Sequence, residues 1–524
     1  MHFNNKFILL LPLNLVAICF FFSFLFFIPV INSDDDVFLM YQLAGGFGEL
    51  PDNLLHYDHI LHPWLGAILA ALFRWQPNFN WYTGFFILCQ YISWVMIARV
   101  LLHLFNRRSG LAVFFLLFLL AGVNGLQSLN LTSTTWVFSI SIVISWIYFP
   151  RFVIIYFFLL LIAGSIRLQI PLIVTGLFIS VQWNLKKISW WKSLFPLLAI
   201  CISFFLLNLV QKKYYSKNIH EWDKSESLRQ DLFYAFNRPK DMDKPDSLIF
   251  QNATEKAFYE RLFLFDEHFP GRKRLAEISR ASVRRRDLSQ KDDLGALYWT
   301  WVAWRLYLLY IMIAIILALH QRVLFKWVKK IWFPLSGSIA FYFFLFLFFK
   351  FTDAFFMGLI LIMAVQMVLF WPVSFQKKSL IPAFLFLLPI AWSLNRDIHI
   401  DRQNREYNRI LKCGLRELAA SKQYLFIATG DAIPIKYFRA IDLPAKNSLE
   451  NFIYKERLLT RSYFNSLRKY GLSGNFKKGI TAPVLRFAGP YFPELLNWAG
   501  ADSLVFSATD SSFHCLEIRK LLVK

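Results

Sequence analysis

The chain has 524 residues, of which 57% are hydrophobic, 19% aromatic and only 17% charged. A soluble domain is roughly 45–50% apolar and about 25% charged, so this composition excludes a disordered chain, a disulfide scaffold and an ordinary soluble enzyme. It indicates a polytopic membrane protein, and the formal net charge of +23 has to be located before it is interpreted.

The short connectors 105–110, 150–152, 184–192, 319–330 and 372–378 hold 12 Lys and Arg and no acidic residue. Segment 32–80 is the reverse, with Asp34, Asp35, Asp36, Glu49, Asp52 and Asp58 against Arg74 alone. Segment 212–298 is near balance, 18 basic to 15 acidic. Such an uneven distribution follows the positive-inside rule, and nucleic acid is a poor partner for it.

Taken in chain order, apolar runs at 8–30, 82–104, 111–123, 134–149, 152–163, 170–182, 194–210, 299–318, 331–349, 354–371 and 379–394 give eleven expected spans. With the N-terminus cytoplasmic, all five basic connectors fall inside, and 32–80, 212–298 and 395–524 fall outside. The expected organisation is an all-α membrane domain over 1–211, an extracytoplasmic helical segment over 212–298, further membrane helices over 299–394, and a small α/β domain over 395–524. The C-terminus is then expected to be extracytoplasmic. The first apolar run exceeds a signal h-region and lacks a small-x-small cleavage site, so it reads as an anchor.

Within the first outer segment, Pro63–Phe73 is apolar but too short to span. Pro63 suits the first position of a helix lying in the interface, with Trp64 and Trp75 at headgroup level. The runs 152–163 and 170–182 are also short for a perpendicular span. They form two short spans or a re-entrant hairpin with Arg167 at the apex, whereas one continuous helix would carry Lys186, Lys187 and Lys192 outside. Further on, Ala257–Phe265 has a helical pattern and Arg284–Arg286 is a basic run. Tyr424–Thr429, Ser503–Ser507 and Cys515–Ile518 read as strands, and 449–470 as helical. Cys19, Cys89 and Cys201 are packing residues. Cys413 and Cys515 form a disulfide or remain two thiols.

Several polar groups stand out against this background. Asp34, Asp35 and Asp36 open the first outer segment, where a carboxylate could take a proton from a hydroxyl or hold a divalent cation; the alternative is a solvated loop or a helix cap. If the triplet is extended, Asp36 points away from Asp35. His56, His59 and His62 recur every third residue beside Asp58. They could contact a phosphate or a metal, although Pro63 disfavours helical geometry at His62. Arg167 between two short apolar runs is a functional candidate by position, and its fork of donors suits a phosphate. Arg305, which opens the span after 212–298, could assist it. Lys350 and Asp353 bracket one outer turn and can pair.

A single span, an acidic pair opening the first outer loop, an amphipathic stretch, many further spans and an outer domain together resemble the GT-C glycosyltransferases. The string Asp34-Asp-Asp-Val-Phe-Leu-Met-Tyr41, with Gly45-Gly46 and Asn80-Trp-Tyr82, also resembles the start of bacterial polytopic proteins of envelope polysaccharide biosynthesis. The resemblance covers about the first 210 residues. It implies a lipid-linked sugar donor and a glycan or lipid acceptor, with Asp34 or Asp35 as the carboxylate that serves as base or metal contact. Arg167, His59, His56 and Arg305 are then the substrate-binding candidates, and a metal is left open. Two other readings remain: a polysaccharide polymerase or ligase, and a transporter or non-catalytic assembly component.

Overall fold

The computed structural model describes residues 5–46, 61–105, 107–184, 380–420, 425–428, 435–446, 452–454 and 485–488, with isolated positions at 198, 201–203, 205, 206, 209, 358, 361, 362 and 449. Helix accounts for 83% of them. In chain order these are α1 (Asn5–Phe26), a two-residue strand β1 (Val30–Ile31), α2 (Asp34–Ala44), α3 (Pro63–Trp75), α4 (Trp81–Leu104), α5 (Arg107–Leu117), a π-helical turn (Phe118–Gly122) and α6 (Val123–Gln127). Then come β2 (Ser128–Leu129), α7 (Leu131–Tyr148), a 3₁₀ turn (Pro150–Phe152), α8 (Val153–Ile166), α9 (Gln169–Asn184) and α10 (Leu380–Ala420). The C-terminal part adds β3 (Leu425–Ala428), a 3₁₀ turn (Ile435–Tyr437), β4 (Phe452–Tyr454) and β5 (Leu485–Ala488).

The chain divides into two compact units. One comprises Met1–Val30, Thr83–Leu209 and Lys291–Gln403; the other comprises Ile31–Tyr82, Val210–Gln290 and Asn404–Lys524.

In the first unit, α4 and α7 are long and apolar enough to cross a membrane, being 24 and 18 residues. At 1.5 Å per residue they measure about 36 and 27 Å, against a hydrocarbon core of about 30 Å. Helix α7 is the centre of this unit: of its residues only Ser133 and Tyr148 are not buried. Trp94 of α4 packs edge-to-face on Phe114 and Phe118, with ring centroids 6.2 and 5.1 Å apart, and Phe20 of α1 reaches Phe118. The outward side chains are apolar too, with Phe21, Leu25 and Phe26 on α1 and Ile154, Ile155 and Phe158 on α8 all exposed. A surface facing water seldom carries such a patch.

The runs at 152–163 and 170–182 form two separate helices. Helix α8 ends where Arg167 turns extended (φ −152°, ψ 107°) while its N–H still bonds the Ala163 carbonyl at 3.0 Å. Helices of 14 and 16 residues reach about 21 and 24 Å, short of a perpendicular crossing. Gly358 belongs to the same unit and lies flat against Trp136, so that a Cβ there would fall inside the indole.

In the second unit, β4, β3 and β5 form a parallel sheet in that order. Phe426 stands in register with Phe452 on one side and Arg486 on the other. Strand β3 lies within the run expected at 424–429. The stretch 449–470 is not helical throughout, because Phe452–Tyr454 is an edge strand; its aromatic and β-branched residues favour that state. Across the position 395, α10 runs as one 41-residue helix from the apolar run to Ala420. Its later residues, rich in Arg, Glu and Leu, are good helix formers. Cys413 on this helix is disulfide-bonded, while Cys19, Cys89 and Cys201 are free. Arg284–Arg286, Ser503–Ser507 and Cys515–Ile518 lie outside the described residues, as do Lys350 and Asp353.

Candidate functional site

The acidic triplet is the first turn of α2, not an extended strand. Ser33 is its N-cap: the backbone is extended there (φ −153°, ψ 128°), and the hydroxyl accepts from the Asp36 N–H at 3.4 Å. The Ser33 carbonyl accepts from Val37 N–H at 3.2 Å, closing the first helical bond. Three carboxylates therefore sit at the end of a helix where the backbone dipole favours negative charge. Helical geometry also gives them different surroundings. Asp36 turns inward and is 2% exposed, and its Oδ1 accepts the Tyr82 hydroxyl at 2.5 Å. Asp35, one residue earlier, is half-buried. The expectation that Asp36 merely points away from Asp35 is replaced by a buried structural carboxylate.

The other end of α2 is fixed as firmly. Gly45 adopts the left-handed conformation (φ 80°, ψ 29°), which a Cβ would disfavour. Its N–H bonds the Gln42 carbonyl at 3.2 Å, and the Gly46 N–H bonds the Tyr41 carbonyl at 2.6 Å. That pair of bonds is a Schellman cap. Gly46 lies against the Tyr41 ring, and its carbonyl accepts from Leu449 N–H at 2.9 Å.

Asn80 and the 438–449 segment hold the helix in place. Asn80 is buried and its amide nitrogen reaches Met40 Sδ (3.2 Å), the Ala440 carbonyl (3.1 Å) and the Asp442 carbonyl (2.8 Å). Ile31 N–H donates to the Phe438 carbonyl at 2.9 Å, and Phe438 packs edge-on against Tyr41. Asn408 of α10 donates to the Tyr437 carbonyl at 2.9 Å, while Tyr407 stacks on Tyr437 at 4.4 Å. The string Asp34–Tyr41, the Gly45-Gly46 pair and Asn80-Trp-Tyr82 are thus one interlocked cluster.

Helix α3 packs on α2, and its Leu65, Leu69 and Phe73 are buried. His62 is extended and caps α3, its Nδ1 accepting from Trp64 N–H at 3.4 Å. Pro63 follows at the first helical position. Trp75 is 74% exposed and contacts Trp81, whose ring meets Phe79. Trp64, expected beside Trp75 at headgroup level, is only half-exposed with its indole nitrogen enclosed.

Arg167 belongs to the first unit. Its Nη1 donates to Thr132 Oγ1 at 2.5 Å. Thr132 lies in the first turn of α7, where Asn130 Oδ1 accepts from Ser133 N–H at 2.7 Å. Along the chain Arg167 also lies two residues ahead of α9. Its guanidinium thus meets the first turn of α7, and helix N-termini attract anions.

His56, Asp58, His59 and Arg305 lie outside the described residues. Among the described residues no three His, Cys, Asp or Glu side chains gather as a metal site. Sequence reasoning named Asn80 and Tyr82 only as parts of a string, and missed what they hold. One local signal was readable: Ser33-Asp-Asp-Asp36 has the spacing of a capping box ahead of an apolar run. Comparison with family models, with curated proteins and with solved structures finds no match.

Proposed function

We propose that the chain is a polytopic membrane glycosyltransferase that moves a sugar from a polyprenyl-phosphate donor to an extracytoplasmic glycan or lipid acceptor. The observation that carries this reading is the acidic turn of α2: a helix N-terminus where one carboxylate is buried and bonded while its neighbour stays within reach of solvent. Asp36 and Tyr82 set the position of the turn. Asp35, or Asp34 beside it, takes the proton of the acceptor hydroxyl as it attacks the anomeric carbon. For the leaving phosphate the sequence offers Arg167 and Arg305 as candidates, because a guanidinium carries the N–H donors that phosphate oxygens accept. One displacement by one hydroxyl gives inversion at the anomeric carbon.

Two further observations support the topology that this chemistry needs. The segments assigned outside from charge alone, 32–80, 212–298 and 395–524, correspond closely to the three pieces of the second unit. Cys413 in that unit is disulfide-bonded, and disulfides persist in oxidising compartments. The proposed architecture has eleven spans, with the N-terminus cytoplasmic and the second unit outside a bacterial inner membrane.

The test is incubation of the purified full chain in lipid nanodiscs with a polyprenyl-phosphate hexose labelled in the sugar. Transfer, or slow release of labelled hexose by water, supports the reading. A donor that stays intact with every acceptor glycan offered counts against it and favours an assembly component.

A further inference from the structure

Arg99 lies on α4, five residues before its last residue, Leu104. Its guanidinium carbon sits 4.2 Å from the centroid of the Phe149 ring and 5.3 Å from that of Phe152. The two rings hold a cation by their faces, an arrangement that leaves the N–H donors of the guanidinium without acceptors. Among the described residues Arg99 has no carboxylate or carbonyl partner. An arginine on a membrane-spanning helix is costly unless something supplies those acceptors.

Among the described residues, the charged side chains near this end of α4 are positive. The His103 ring lies 5.1 Å from Phe149, which brings the end of α4 against the end of α7. Arg107 and Arg108 open α5, Arg151 follows α7, and all three are exposed. The connectors 105–110 and 150–152 contain no acidic residue. Immediately beside this basic end is apolar surface: Phe152 is 41% exposed, Ile154 69% and Ile155 55%.

We propose that Arg99, held by Phe149 and Phe152, binds the headgroup phosphate of an anionic lipid whose chains lie along α8. A phosphate on an apolar tail meets both features, because its oxygens accept from Arg99 while its chains cover Ile154 and Ile155. Free phosphate satisfies the charge alone. The site stands on α4 lying in a bilayer, and is independent of any chemistry at α2.

Native mass spectrometry of the full chain, released from micelles doped with phosphatidylglycerol or phosphatidylcholine, reads the site directly. Wild-type protein should retain phosphatidylglycerol preferentially, and excess inorganic phosphate should not displace it. Arg99→Gln should weaken that retention roughly tenfold or more, the effect of losing a charged hydrogen-bonding partner. Arg151→Gln and Phe152→Leu, at exposed positions that the fold tolerates, should each weaken it with unchanged melting in phosphatidylcholine. Equal retention by wild type and by these variants overturns the proposal. So does displacement by inorganic phosphate, which would assign the site to a soluble anion.

Discussion

Replacing Tyr82 with Phe removes one hydroxyl from the buried cluster and leaves the ring in place. That hydroxyl donates to Asp36 Oδ1 at 2.5 Å, and both residues are at most 2% exposed, so water is poorly placed to replace it. A hydrogen bond to a charged group contributes about 1.5–3 kcal/mol. The loss should fall on α2, whose first turn Asp36 anchors, and increase local opening roughly 10- to 100-fold. Hydrogen exchange of peptides covering 34–46, on protein in nanodiscs, measures that opening. A double-mutant cycle with Asp36→Ala then isolates the pair, and the coupling should exceed about 1.5 kcal/mol. A coupling below about 0.5 kcal/mol, the size expected of unrelated surface changes, would refute the assignment of Asp36 as the anchor.

Other outcomes follow from the same structure. Arg167→Lys keeps the charge but loses the planar fork, so use of the labelled donor should weaken, read as a raised KM with normal membrane expression. Gly358→Ala should lower thermal stability by about 1–3 kcal/mol through overpacking against Trp136, and Trp136→Leu in the same chain should restore part of it. Cys413 should react with maleimide only after reduction, and Cys515→Ser should expose it without reductant; labelling of the untreated wild-type residue would contradict the disulfide. Cysteines placed at Ser216 and Ser511 should react with an impermeant reagent from outside the inner membrane and one at Ser374 should not. The opposite pattern would put α2 in the cytoplasm.

The apolar helices were legible because composition and length alone specify them: the runs at 82–104 and 134–149 are α4 and α7 within three residues at each end. Pro63 marked the start of α3 for the reason that proline fits a first helical turn. Strand β3 was visible as a short apolar run, but Phe452–Tyr454 was not, because three residues carry too little pattern to separate strand from helix. The end of α10 was hidden in the same way, since its apolar and polar halves are both helix-forming and only composition changes between them. At the site, three adjacent aspartates attracted notice, yet their separate roles depend on partners far along the chain. Tyr82 lies 46 residues from Asp36, and Ala440 lies 360 from Asn80. No local rule reports such pairings. Arg167 was found from its cost in an apolar setting, whereas its contact with Thr132 required the fold.

We propose that labour divides within one helical turn, Asp36 holding α2 in place while Asp35 or Asp34 takes the proton. Asp35→Asn and Asp36→Asn proteins, prepared identically in nanodiscs, are assayed for both labelled-hexose transfer and exchange protection of α2. If Asp35 supplies the base, or shares that role with Asp34, its neutralisation should cost roughly 10²–10⁴-fold in turnover with α2 protection unchanged. Asp36→Asn should instead loosen α2, with any fall in turnover following that loosening. Full activity in the Asp35→Asn and Asp34→Asn proteins alike, with α2 intact, would contradict the account.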